Sequence, residues 1–203
     1  MNKPALGALI ASLALSAMVT AAPRQVSAAL PGESLYQLDL LLQDSAGRPV
    51  QLSSLRGRPL LITLFYSHCT SICPMITLEL QDLYRQLTSR QQARLRVLMV
   101  SLDAKRDAPE ELQAFKEQHA IHEEGWIIAR AKSGDVRVLA AVLGVRYREL
   151  SDGSFNHSAV IVAADSQGVI RGRTSELTVA DPAFVDLVRR LTAPASASRA
   201  AGE

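Results

Sequence analysis

Residues 60–74 read Leu60-Leu61-Ile62-Thr63-Leu64-Phe65-Tyr66-Ser67-His68-Cys69-Thr70-Ser71-Ile72-Cys73-Pro74. The first seven form an almost unbroken apolar run, the pattern of a strand covered on both faces. Beyond Pro74, the residues Ile76, Leu78, Leu80, Leu83 and Leu87 recur at close to helical spacing, so a helix follows. A buried strand leading into a helix is the repeating unit of an open α/β sheet, and such sheets place their chemistry at the carboxyl ends of strands. Cys69 and Cys73 fall at that place. A helix N-terminus presents unpaired N–H groups and a positive partial charge, which favour a thiolate. Pro74 is tolerated in the first turn, where its missing donor would have had no partner.

The same pattern repeats outward. On the N-terminal side, residues 36–42 and 50–52 flank Asp44-Ser45-Ala46-Gly47 and predict a small β-hairpin. On the C-terminal side, residues 95–102 predict a second buried strand. Residues 109–119 predict a surface helix with Asp107 as its N-cap. Residues 126–129 predict a short strand, and 134–143 a helix closed by Gly144. Residues 145–150 read as an edge strand. Residues 158–164 and 169–174 flank Asp165-Ser166-Gln167-Gly168, a strand–turn–strand signal, and 179–191 form a closing amphipathic helix. Strands alternating with helices imply a parallel sheet, to which the late hairpin adds an antiparallel pair. The expected class is α/β: a thioredoxin-like mixed central sheet flanked by helices, with an added N-terminal hairpin.

The two ends read differently from this domain. Lys3 precedes an apolar, Ala-rich stretch, and Thr20-Ala21-Ala22 and Val26-Ser27-Ala28 are small-x-small patterns. Residues 1–28 are therefore expected to be an export signal peptide, the alternative being an N-terminal membrane anchor. Residues 29–33 read as a linker, 34–192 as the domain and 193–203, small and polar, as a disordered tail. The domain is expected to be exported, either periplasmic or tethered facing the periplasm. Of the 203 residues, 48% are hydrophobic and 21% charged, which allows a core that folds without staples. A formal net charge of +2 gives no footprint for a nucleic-acid partner.

Cys69 and Cys73 are the chain's two cysteines. Closing so small a loop would stabilise little, which moves the pair from structure toward chemistry. On a regular helix residues four apart have Cβ atoms about 5–6 Å apart, beyond the ~3.5–4.5 Å of a relaxed disulfide. Two sulfurs sharing a metal lie roughly 4 Å apart, so chelation suits the spacing better. A disulfide remains open if Cys69 lies in the turn and moves a little.

With three motifs in order, the chain resembles the SCO (SenC) copper-binding proteins, which assist cytochrome c oxidase assembly. The first is residues 66–74, matching C-x-x-x-C-P. The second is Ser101-Leu102-Asp103-Ala104-Lys105-Arg106-Asp107-Ala108-Pro109-Glu110, against D-P-x-R-D-T-P-E. The third is Asn156-His157-Ser158 before a strand, then Asp165-Ser166-Gln167-Gly168. The resemblance spans residues 31–190. It implies one copper ion per chain, as Cu(I) or Cu(II), on Cys69, Cys73 and His157. It also implies a partner that is an oxidase subunit or another copper-carrying protein. Two thiolates are soft donors suited to Cu(I), and imidazole serves both oxidation states. The sequence departs from the family at Thr70-Ser71-Ile72, where Pro and Asp are frequent. It departs also at Ala104 and Ala108, in place of Pro and Thr, and at Asn156, where Asp is common.

Two functions follow from these residues. One is a copper chaperone for the oxidase; the other is a thiol–disulfide oxidoreductase using Cys69 and Cys73 as a redox dithiol on a partner's copper-ligand cysteines. A peroxide-reducing enzyme would need a single activated cysteine, and the paired cysteines with a distant histidine argue against it. His68 is read as a supporting or packing residue, His119 and His122 as solvated, Met75 as core in preference to an axial copper ligand, and Trp126 as core. Asp103, Arg106 and Asp107 are read as a capped, ion-paired loop.

Overall fold

The computed structural model describes residues 29–177 and 181–194. In chain order it forms β1 (Leu41–Asp44), β2 (Pro49–Gln51), β3 (Leu60–Phe65), α1 (Ile72–Arg85), α2 (Ser89–Gln92), β4 (Arg96–Ser101) and α3 (Pro109–Gln118). There follow β5 (Trp126–Arg130), α4 (Ser133–Leu143), β6 (Tyr147–Glu149), β7 (Phe155–His157), β8 (Ile161–Ala164), β9 (Ile170–Thr174) and α5 (Pro182–Thr192). The leader expected at 1–28 lies outside the described residues, as do all but Ala193 and Pro194 of the expected tail.

Seven strands make one sheet in the order β2-β1-β5-β4-β3-β8-β9. The central trio β5, β4 and β3 is parallel, and the neighbours on both sides are antiparallel. The apolar run becomes β3, with all six side chains buried, and β4 is buried from Val97 onward. This is the central pair of a sheet covered on both faces. The N-terminal hairpin joins the sheet through β1 on β5, and helices flank the whole in the expected thioredoxin-like α/β arrangement.

Turn residues behave as their chemistry requires. Gly144 closes α4 in the left-handed region at φ 74°. Gly168 turns β8 into β9 at φ 79°, and a Cβ there would lie 2.7 Å from the Tyr36 ring. Asp181 caps α5, its side chain accepting from the Ala183 N–H at 2.9 Å. The expected start of that helix at Val179 lies outside the described residues.

Three expectations are corrected. Residues 35–37 form a 3-10 turn capped by the Ser34 hydroxyl, so the first strand begins only at Leu41. Residues 145–150 do not form an edge of the main sheet. Their strand β6 pairs with β7 in a separate two-stranded ribbon, with Tyr147 opposite His157. Asp107 does not cap α3; Ala108 holds that position, which has no side-chain cap, and Asp107 turns inward instead.

Candidate metal centre

Phe65 ends β3, and residues 66–71 turn over the carboxyl edge of the sheet into α1. Ser71, at the N-cap, makes no side-chain cap bond. The sulfur of Cys69 stands in for one: the Cys73 N–H donates to its Sγ at 3.4 Å. A helix that lacks an oxygen cap thus aims its unpaired donors at sulfur. The two thiols differ as a result. Burial works to raise the Cys69 thiol, but the Cys73 thiol and the backbone N–H groups of Cys73, Ser71 and Ile72 outweigh it, and its pKa falls below the ordinary value. Cys73 is fully buried, and burial together with its thiol bond to Cys69 pushes it well up. Both cysteines are free thiols.

His157 arrives from the ribbon. It ends β7 with 8% exposure, and its ring stands edge-on to Tyr66 with centroids 6.1 Å apart. Its Nδ1 lies 3.2 Å from the Ser158 carbonyl oxygen. A carbonyl can only accept, so this bond puts the proton on Nδ1 and leaves the Nε2 lone pair free. That lone pair faces the Cys73 Sγ at 3.5 Å. Burial holds the imidazole pKa below its usual value, although the Ser158 bond opposes this, so the ring is neutral and able to ligate near pH 7.

The Cys69, Cys73 and His157 donor atoms all lie within 4.8 Å of one another. Around a metal with bonds of about 2.0–2.3 Å, donors stand roughly 4 Å apart, so the three need sub-ångström adjustments to share one ion. Two sulfurs and one imidazole are a soft set, matched to copper rather than to magnesium or calcium.

Two sets of contacts fix this geometry. Asp107, fully buried, accepts from the Ser67 N–H at 3.0 Å and from the hydroxyls of Ser67 and Ser101. It thereby pins the start of the cysteine turn to the end of β4. His68 extends this anchor, its Nδ1 2.8 Å from the Ser67 Oγ, and it does not join the ligand cluster. The Arg106 guanidinium bridges the Asp103 carboxylate and the Gly153 carbonyl, tying the ribbon's tip to the loop after β4. The rings of Tyr66, Phe155 and Tyr147 pack in series across the same junction, with centroids 5.4 and 6.3 Å apart. Asn156 is exposed, so its side chain does not orient the neighbouring histidine; the Ser158 carbonyl does.

The three ligand residues proposed from the sequence therefore converge. The roles of Asp107, Arg106 and the Ser158 carbonyl were not foreseen. Ser67, just past β3, and Ser101, the last residue of β4, were the available signal that a buried acceptor was needed. Met75 is 39% exposed, because it lies on the outer side of the first turn of α1, and it is not a core residue. His119 is half-buried rather than solvated: its ring packs on Phe115 at 4.3 Å, and burial lowers its pKa. Trp126 is core, as expected.

A family model described as SCO1/SenC matches residues 30–192. The chain belongs to the SCO1/SenC family. A Stutzerimonas stutzeri protein named for copper binding is 25% identical to this SCO1/SenC chain over 148 residues, 70% of each. A solved structure from Aquifex aeolicus VF5, assigned to electron transfer, is 27% identical with a TM-score of 0.70, covering 79% of this chain and 93% of its own. Yeast Sco1, solved with copper bound, shares the fold at 19% identity and a TM-score of 0.63, over 81% of this chain and 92% of its own. Among the described residues of this SCO1/SenC member, no helix is long and apolar enough to cross a membrane.

Proposed function

We propose that Cys69, Cys73 and His157 bind one copper ion per chain, and that the protein delivers it, outside the cytoplasm, to the copper centre of a cytochrome c oxidase subunit. The observation that carries this reading is the His157 Nε2 lone pair facing the Cys73 sulfur, with Cys69 beside both. Dithiol exchange does not require an imidazole aimed at the sulfurs; a three-coordinate copper site does. Copper enters as cargo. The α1 N-terminus eases the negative charge of the thiolates, the Ser158 carbonyl fixes the tautomer, and the ring wall of Tyr66 and Phe155 limits water.

Competition titration against a Cu(I) chelator tests the site. Wild type takes up one equivalent, the Cys69→Ser, Cys73→Ser double variant takes up none, and His157→Ala loses Cu(II)–thiolate absorption. Undiminished binding by the double variant would overturn the proposal.

One observation favours a second reading. The thiols are unequal, Cys69 lowered and Cys73 raised, as in a nucleophile with a buried resolving partner. A reductase acting on a partner's copper-ligand cysteines would use that inequality. His157→Ala separates the two functions in cells that lack the native protein: it fails to restore oxidase activity if copper delivery is the function, and restores it if thiol reduction is.

A further inference from the structure

Three concavities lie in series along the edge of the sheet that carries the metal centre. The first, about 570 Å³, opens beside β1 and the start of α4. The second, about 530 Å³, lies between α4 and the β6–β7 ribbon and shares Ala104, Lys105 and Ser133 with the first. The third, about 340 Å³, is bounded by His157 itself and shares Tyr147 and Arg148 with the second. Five exposed cations border the run: Lys105, Lys132, Arg137, Arg148 and, beside His157, Arg146. None of the five side chains makes an ion pair or a hydrogen bond among the described residues. Of the two carboxylates lining the second and third hollows, Asp103 is held by Arg106, which leaves only Glu149 uncommitted. The charge is local, because the whole chain carries only +2.

We propose that this basic run is the docking face for an acidic protein partner, which it guides onto the His157 side of the metal centre. The purpose of the face rests on the copper-delivery reading above; the binding itself does not. Unpaired guanidiniums around a ligand raise the encounter rate with an acidic surface and orient it, and they do so without touching the ligand set. The shape selects a protein over a membrane. The cations border hollows, which carboxylate side chains on a protein segment enter and a flat bilayer surface does not.

The test uses the reduced, metal-free chain and two fluorescein-labelled peptides. One is rich in Asp and Glu around a Cys-x-x-x-Cys pair; the other has Asn and Gln at the acidic positions. By fluorescence anisotropy the acidic peptide should bind about tenfold more tightly at about 20 mM salt, and the preference should fade by about 300 mM as screening sets in. The Arg146→Glu, Arg148→Glu double variant should lose the preference. The milder Arg146→Gln, Arg148→Gln pair should lose much of it, and both should keep wild-type Cu(I) affinity and circular dichroism. Equal binding of the two peptides, or an undiminished preference in the charge-reversed variant, overturns the proposal. So does salt-sensitive binding to phosphatidylglycerol vesicles without any peptide preference. A wild type that prefers the acidic peptide yet binds no Cu(I) would sink the copper reading and leave the docking face standing.

Discussion

The carboxylate of Asp107 accepts a hydrogen bond from the backbone N–H of Ser67 at 3.0 Å, across 40 residues of sequence. This bond joins the second motif to the first and sets where the cysteine turn begins. Asp107→Ala leaves the Ser67 N–H and the Ser101 hydroxyl without their acceptor in a buried place, a loss of about 1–3 kcal/mol. Urea unfolding measures it. Cu(I) affinity should fall about 10–100-fold, as it does when groups that orient ligands are removed. Unchanged affinity would mean that the turn is held from elsewhere.

The two cysteines should label in order. Cys69, 7% exposed and with its pKa lowered by the Cys73 thiol and the N–H groups at the start of α1, should be alkylated by iodoacetamide near pH 7.5, while Cys73, with no exposure and a raised pKa, is spared until the protein unfolds. Peptide mapping after brief exposure reads the order. Equal labelling, or Cys73 first, contradicts the assignment of roles.

Ala108 occupies the N-cap of α3 in extended conformation at φ −63° and ψ 164°, with no side-chain bond to the helix. Ala108→Thr should supply a hydroxyl acceptor for a first-turn N–H and stabilise the fold by about 1 kcal/mol. Thermal unfolding shows the gain, with Cu(I) affinity unchanged.

Glu79 lies in α1 at 4% exposure, and burial, followed by the nearby Asp82 carboxylate, raises its pKa. The folded state therefore prefers the protonated acid. Its favourable contribution is complete below the ordinary carboxylate pKa of about 4.3 and is lost as pH rises through the higher folded value. Glu79→Gln should accordingly melt above wild type at pH 7 and level with it at about pH 4. A gain that persists unchanged at the lower pH would place the effect in packing rather than ionisation.

Much of this was legible in the sequence because apolar runs carry their own period. The runs at 60–66 and 95–102 read as buried strands, and Gly144 announced the end of α4. The ligand triad was legible through its motif context, since His157 alone has no distinguishing spacing. The misreadings share a cause. Residues 145–148, Val145-Arg146-Tyr147-Arg148, alternate as an edge strand does, yet nothing local says which strand they pair with; the partner lies across a turn at Gly153, whose carbonyl is captured by Arg106. Asp107 precedes a helix and so resembles a cap, and only the tertiary approach of Ser67 and Ser101 draws it away. Local signals identify elements well but leave open the choice between competing partners for one polar group.

The proposed metal centre is divided between two substructures. Its sulfurs belong to the sheet and α1, and its nitrogen to a ribbon that shares no ladder with that sheet. The third donor is thus carried on a separate piece of the fold from the other two. A lineage could replace the ribbon, as a cassette between α4 and β8, and keep an intact dithiol on an undisturbed scaffold. The border between a copper carrier and a thiol exchanger then falls at one hairpin, and evolution can cross it in either direction without redesigning the core.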